Sequence, residues 1–188
     1  MTARAAAAAE TADNILAAAK QLLAEDGLAD ITLAGIAARS GVTVQTVLRR
    51  FGDKNAVFAA AVAHYGAEVQ AHRGQAVPND LDDLLANLVE HYEEYGRLML
   101  KLLGEAAASP AIRAGVDAGK DYHRRWCERV FAATLDPLTG SERIRRLAQL
   151  VAICDVRTWE VLRINSGLSR PQTQLALREM LIPLTAKG

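Results

Sequence analysis

The chain has 188 residues, 51% hydrophobic and 5% aromatic, with 22 basic and 22 acidic side chains and a formal net charge of zero. That apolar content supplies a sizeable core and excludes a disordered chain, while neutrality excludes a protein that coats nucleic acid through a uniformly basic surface. No run of about 18 apolar residues is present, and Ala5 to Ala9 is too short and weakly apolar for a secretory core, so a cytoplasmic chain without a membrane partner is expected.

Helical periodicity recurs along the chain with no convincing strand pattern, which predicts an all-α protein of about nine helices. The first helix, about Thr11 to Glu25, is expected to bury Ile15, Leu16, Ala19, Leu22 and Leu23 and to close at Asp26-Gly27. The Ala-rich start either extends this helix or remains a frayed arm, from which Arg4 can reach a minor groove.

Residues Ile31 to Phe51, ITLAGIAARSGVTVQTVLRRF, carry the most informative pattern. Thr32 is a predicted N-cap, Leu33, Ile36 and Ala37 share one face, and Ser40-Gly41 stops the short helix. Val42 plugs the corner and Thr43 caps a second helix. On that helix Val47 and Phe51, one turn apart, should face inward, while Gln45, Thr46, Arg49 and Arg50 point away. Gln pairs bidentately with adenine, Arg with guanine or phosphate, and Thr with base edges or backbone oxygens, so this edge suits the DNA major groove. Val44 and Leu48 either pack inside or touch thymine methyl groups. Residues 1–55 hold six basic side chains (4, 20, 39, 49, 50, 54) and six acidic ones (10, 13, 25, 26, 30, 53). The positive charge is therefore local, with Arg39, Arg49, Arg50 and Lys54 clustered near Asp53 alone among acids. Asp53 is the expected cap of the next helix, whose free amides and Lys54 ammonium together suit a phosphate.

This segment resembles the DNA-binding domain of TetR/AcrR-type transcriptional regulators, whose pattern runs Thr, apolar, Ile-Ala, Gly-Val-Ser/Thr, then Tyr, a basic or His position, Phe and Lys. The matching positions are Thr32, Leu33, Ile36-Ala37, Gly41-Val42-Thr43, Leu48, Arg50, Phe51 and Lys54. The resemblance implies that Thr43, Val44, Gln45, Thr46, Leu48 and Arg49 read an operator while Thr32, Arg50 and Lys54 hold phosphates. Leu48 departs from it, since a Tyr that commonly donates its hydroxyl to the DNA backbone is usual there; one phosphate contact is then missing. The implied architecture is a helix-turn-helix DNA-binding domain, residues 1–54, followed by a helical effector-binding and dimerisation domain, residues 55–188.

A long helix from Asn55 to about Arg73 is expected next, ended by Gln75 to Pro78. From an Asn79 cap to about Ala107, Leu81, Leu85, Leu88, Tyr92, Tyr95, Met99 and Leu102 make an inward stripe of more than five turns. Ser109-Pro110 restarts the chain, and a helix from about Asp117 to Leu135 carries Trp126, Val130 and Phe131. Burial preference alone makes these aromatic residues core. The resemblance implies instead a small, mainly apolar effector between the middle helices, with Leu88, His91, Tyr92, Tyr95, Met99, His123, Trp126 and Val130 as its pocket and the Tyr hydroxyls and histidines as polar handles.

Two terminal helices are predicted, Ser141 to Asn165 and Ser169 to Leu181, the second opened by a Ser169–Gln172 capping box. Their widely spread apolar residues suit packing both inward and against a copy of the chain. By the resemblance this pair forms the interface of a homodimer, through Leu147, Val151, Cys154, Thr158, Val161, Leu162, Leu177 and Leu181, and the dimer would bind a palindromic double-stranded operator as a repressor. Alternatives are a regulator without an effector, or a helical ligand-binding protein or enzyme. For the last, His123 and Cys127 lie one turn apart beside Glu128, a pattern of metal or nucleophile type. Two such residues without a second pair or an oxyanion hole are better read as structural, so neither enzymatic activity nor a cofactor or metal is expected. Cys127 and Cys154 read as buried reduced thiols.

Overall fold

The computed structural model describes residues 3–185. Among the described residues all regular structure is helical: α1 Ala3–Glu25, α2 Leu33–Ser40, α3 Val44–Phe51, α4 Lys54–Arg73, α5 Leu81–Glu105, α6 Pro110–Val130, α7 Ala132–Leu135, α8 Gly140–Ile153, α9 Val156–Trp159, a π-helical segment Glu160–Asn165, and α10 Arg170–Thr185. None of these helices is long and apolar enough to cross a membrane. Two compact units emerge, one from residues 3–68 with 101–117 and the other from 69–100 with 118–185.

In the first unit α2 packs against α1 and α3. Ile15, Ala19, Ile36, Ala37 and Val47 supply its buried side, with Val57, Phe58 and Ala61 from α4. Leu16 is half-exposed rather than buried, because the inward face of α1 is centred on Ile15, Ala18, Ala19 and Leu22. The Ala-rich start continues α1 back to Ala3, as expected of the best helix former; the Arg4 side chain lies outside the described residues. On this unit's later helices Gly115 lets α6 come so close that a Cβ there would stand 2.1 Å from Val62 Cγ1.

The second unit is built on α5, whose Leu84, Leu85, Leu88, Val89 and Tyr92 are all buried. The cap of α5 is Asp80, not Asn79: Asp80 Oδ1 accepts from the Asp83 amide at 3.1 Å. Asn79 instead adopts φ 62 and uses its side-chain oxygen for the Ala133 amide at 3.2 Å, a tertiary task that removes it from capping. Ser109 does cap α6, but that helix then runs unbroken from Pro110 to Val130, so no separate helix begins near Asp117. Nothing between 110 and 130 is a strong helix breaker, and both glycines there are tolerated.

The predicted single helix from 141 to 165 is interrupted. α8 ends at Ile153, the Asp155 carboxylate caps α9 by accepting from the Arg157 amide at 2.9 Å, and the Thr158 hydroxyl donates back to the Ala152 carbonyl at 2.6 Å. An Asx cap in the middle of an apolar repeat competes with the helix and wins here. The π-helical turns follow at once, beside Trp159, whose indole packs so closely on α5 that a Cβ at Gly96 would lie 2.6 Å from it. The Ser169–Gln172 capping box is formed, and α10 extends to Thr185 through Pro183.

Candidate DNA interface and the buried polar cluster

The helix-turn-helix is assembled by local chemistry. Thr32 Oγ1 accepts from the Gly35 amide at 3.0 Å, Gly41 turns the chain at φ 71, and the Val42 amide returns to the Ala37 carbonyl at 3.0 Å. Thr43 Oγ1 then takes the Thr46 amide at 3.2 Å and also meets the Thr46 hydroxyl at 2.9 Å. Asp53 caps α4 through the Ala56 amide at 2.8 Å. Val47 is fully buried, which turns the opposite side of α3 outward: Gln45, Arg49 and Arg50 are exposed, Val44 is 38% exposed, and Thr46 and Leu48 are half-buried. Thr32 and Thr43, at the two N-termini, are exposed as well.

Two cations expected in the basic cluster have protein partners. Arg39 holds Glu25 in a two-pronged pair at 2.8 and 3.0 Å, so Asp53 is not the only acid nearby; its hydrogen bonds keep the Glu25 carboxyl below its usual range. Lys54 Nζ donates to the Ile31 carbonyl at 2.9 Å and lies 5.7 Å from the Phe58 ring centre. An ammonium has three donors, so this bond fixes Lys54 without exhausting it. The outward charge of α3 thus rests on Arg49 and Arg50.

All eight residues proposed for a pocket fall in the second unit. Leu88, His91, Tyr92, His123, Trp126 and Val130 are buried, and Tyr95 and Met99 are half-buried. His91 is ringed by His72, Tyr92 and Tyr95, with ring centres 5.8, 4.9 and 5.3 Å away. Burial, reinforced by the nearby Arg73 charge, pushes the His91 pKa down to about 2 and that of His123 to about 4. The tautomer of His123 follows from its neighbours: Nδ1 faces Arg73 Nη1 at 3.0 Å and must accept, while Nε2 faces the Val151 carbonyl at 3.0 Å and must donate. Both nitrogens are committed, so His123 does not activate Cys127. Cys127 instead hydrogen-bonds the Cys154 thiol, which that bond and burial push well above the usual range. Among the described residues no three His, Cys, Asp or Glu side chains gather as metal ligands.

Arg73 is the residue the sequence reading missed. It is 1% exposed, lies 3.9 Å over the Trp126 ring, and its backbone carbonyl accepts from Trp126 Nε1 at 2.9 Å. The available signal was its spacing, since Val62, Tyr65, Val69 and Arg73 continue one stripe along α4. A separate polar cleft of about 180 Å³ is lined by Glu93, Arg97, Trp159, Arg163 and Ile164, none of them among the eight. There burial opposes ionisation of Glu93, but bonds from Arg163 and Trp159 outweigh it and hold the carboxyl below its usual range.

Of the residues assigned to a dimer interface, Leu147, Cys154, Leu177 and Leu181 are fully buried within the chain and have no surface to offer a partner. Val151, Thr158 and Leu162 are half-buried and Val161 is 53% exposed. The exposed apolar side chains on α8 and α10 are Ile144, Leu175, Met180 and Ile182.

Residues 15–61, the segment that contains this helix-turn-helix, match the family described as bacterial regulatory proteins, tetR family. Curated protein sequences give no match to the chain. Among solved structures, the fold is shared with a transcriptional regulator from Rhodococcus sp. Rha1, at 20% identity over 92% of this chain and 95% of that one, TM-score 0.72. It is shared also with SmeT in a complex with triclosan, at 22% identity over 95% and 93%, TM-score 0.72. A third is NalD, the secondary repressor of the MexAB-OprM multidrug efflux pump in Pseudomonas aeruginosa, at 19% identity over 94% and 96%, TM-score 0.64. The family's pattern here stands on capped helices whose polar edge faces outward, so residues 15–61 form a helix-turn-helix similar to that of the tetR family of bacterial regulatory proteins, within an all-helical fold shared with these regulators.

Proposed function

We propose that the protein is a cytoplasmic repressor that binds a palindromic operator as a homodimer through residues 1–54 and is released by a small molecule held within residues 55–188. The observation that carries the reading is the outward row Gln45, Arg49 and Arg50 on a helix anchored by Val47. Gln45 and Arg49, with Thr43, Val44, Thr46 and Leu48 around them, supply base contacts; Thr32, Arg50 and Lys54 supply phosphate contacts. Leu48 has no hydroxyl to give, so its contribution is apolar contact. That SmeT is held with triclosan and that NalD is a repressor support an effector and negative regulation here. Release requires the effector to bind the DNA-free arrangement better than the DNA-bound one, so affinity alone is not induction.

The test is selection of bound sequences from a random duplex library at about physiological salt, where unspecific contacts are suppressed. A two-fold symmetric motif is the expected result; folded protein that enriches nothing overturns the reading. With that motif in hand, Arg50→Ala should weaken binding to every sequence and lower the salt slope by about one phosphate contact. Gln45→Ala should relax preference at one position of each half-site and leave the slope alone.

The dimer would use the exposed apolar residues of α8, the π-helical segment and α10 rather than the buried ones. Val161→Glu is expected to place a carboxylate in that contact and shift sedimentation to the monomer. An unchanged dimer would move the interface away from residue 161.

A further inference from the structure

The guanidinium of Arg73 is an interior positive charge without a negative partner. Arginine stays protonated in any protein environment, so the charge cannot be shed. Its Nη1 is spent on His123, a neutral acceptor. Nε and Nη2, both fully buried, meet no acceptor in the protein, and no carboxylate pairs with Arg73 among the described residues. These two nitrogens lie on one edge of the guanidinium and carry parallel N–H groups, the fork that grips a carboxylate with two bonds. The helix end offers no substitute acceptor. The carbonyl of His72 is taken by Asn87 Nδ2 at 3.0 Å, that of Arg73 by Trp126 and Arg129, and that of Gln70 by Tyr122.

Other unpartnered polar atoms stand in the same cluster. Both ring nitrogens of the wholly buried His91 lack a partner, and so do His72 Nε2 and Asn87 Oδ1. His91 feels the charges of Arg73, His72 and His123, which places the four together. A packed interior rarely leaves so many donors and acceptors idle, and those that are idle commonly belong to a ligand.

We propose that this cluster is the polar end of an effector site and that the effector is a monocarboxylate: its carboxylate pairs with the Nε and Nη2 edge of Arg73, His91 and His72 bind its polar substituents, and its apolar body lies among the aromatic rings. The inference rests on the effector reading above and adds the ligand's charge. One carboxylate balances one guanidinium while His91 and His123 stay neutral, whereas a phosphate dianion would bury an unmatched negative charge. Trp126, stacked on the guanidinium, holds the fork in plane and leaves its free edge to the ligand.

Matched acid and amide pairs separate charge from shape. Benzoate and benzamide, and hexanoate and hexanamide, are titrated into the full-length protein with melting temperature and tryptophan fluorescence as readouts. The acids are expected to raise the melting temperature and change the fluorescence, and the amides are not. Arg73→Met should bind the acids at least about tenfold more weakly, and in their absence should melt above the wild type, because an uncompensated buried charge has gone. Arg73→Lys keeps the charge but loses the fork and should also bind more weakly. Equal binding of acids and amides overturns the carboxylate assignment while leaving an effector site in place. No response to any of the four probes overturns it as well, and release of the selected operator by neutral apolar compounds would then keep the effector reading alive separately. A lower melting temperature for Arg73→Met would make the guanidinium a structural prop of the end of α4 and also overturn it.

Discussion

Acidification from pH 7 to pH 5 is expected to destabilise the unit formed by residues 69–100 and 118–185 by on the order of 4 kcal/mol, through two histidines that the fold keeps neutral. His91 is depressed to about 2 by burial first and by the Arg73, His72 and His123 charges next. His123 is depressed to about 4 by burial and Arg73, against the Val151 carbonyl and Asp155, which favour its charged form. In the unfolded chain both titrate near 6.5. Between the folded and unfolded values the unfolded chain holds the extra protons. The stabilisation is therefore complete above pH 6.5 and is lost as pH falls, by roughly 2 kcal/mol per histidine at pH 5.

The two tryptophans, Trp126 and Trp159, both lie in this unit, so urea unfolding followed by their fluorescence at pH 7.5, 6 and 5 reads it directly. His91→Leu nearly preserves volume, removes two unpartnered nitrogens, and should take away about half of the loss between pH 6.5 and 5. The groups facing His91, namely Arg73 and His72 of α4, Tyr92 and Tyr95 of α5 and His123 of α6, all remain in that variant. If His91→Leu loses stability with acid as steeply as the wild type, the histidine is not the proton acceptor assumed.

What was legible in the sequence was short-range. Thr32, Thr43, Asp53, Ser109 and the Ser169–Gln172 box all cap as their spacing predicts, since a cap is chemistry between residues two or three apart. The inward turn of Val47 followed from helical period alone, and with it the exposure of Gln45, Arg49 and Arg50. The misses share a different cause. Glu25 takes Arg39 out of the basic cluster from 14 positions away. Apolar period runs straight through Cys154 and Asp155, so the break of the helix there depends on one side chain preferring a cap. A four-residue repeat also marks Leu147, Leu177 and Leu181 as apolar without saying whether the chain's own core or a second subunit will cover them. Arg73 sits where a basic residue ordinarily complements the C-terminal end of a helix in water, and only Trp126 and His123, some fifty positions later, make it an interior charge.

The second large effect is expected from Val47→Asp, which should abolish operator binding. Val47 is wholly buried at the centre of an eight-residue helix that has no other fully buried side chain. A helix this short is marginal alone and owes its position to tertiary packing. A carboxylate at that point must either ionise without a partner or take up a proton and still leave its oxygens unbonded, a cost in the class above about 4 kcal/mol. Val47→Ala removes two methyl groups and should cost about 2 kcal/mol, lowering the melting temperature while leaving base preference intact wherever the protein is folded. Gln45→Ala should do the reverse, with an unchanged melting temperature and a relaxed preference at one operator position. Far-UV circular dichroism and binding to the selected operator, measured on all three variants, separate the residue that positions the reading edge from the residue that reads. An Asp at position 47 that leaves operator affinity at the wild-type level would mean that α3 is not held by its buried face, and the assignment of Gln45, Arg49 and Arg50 to the outer edge would go with it.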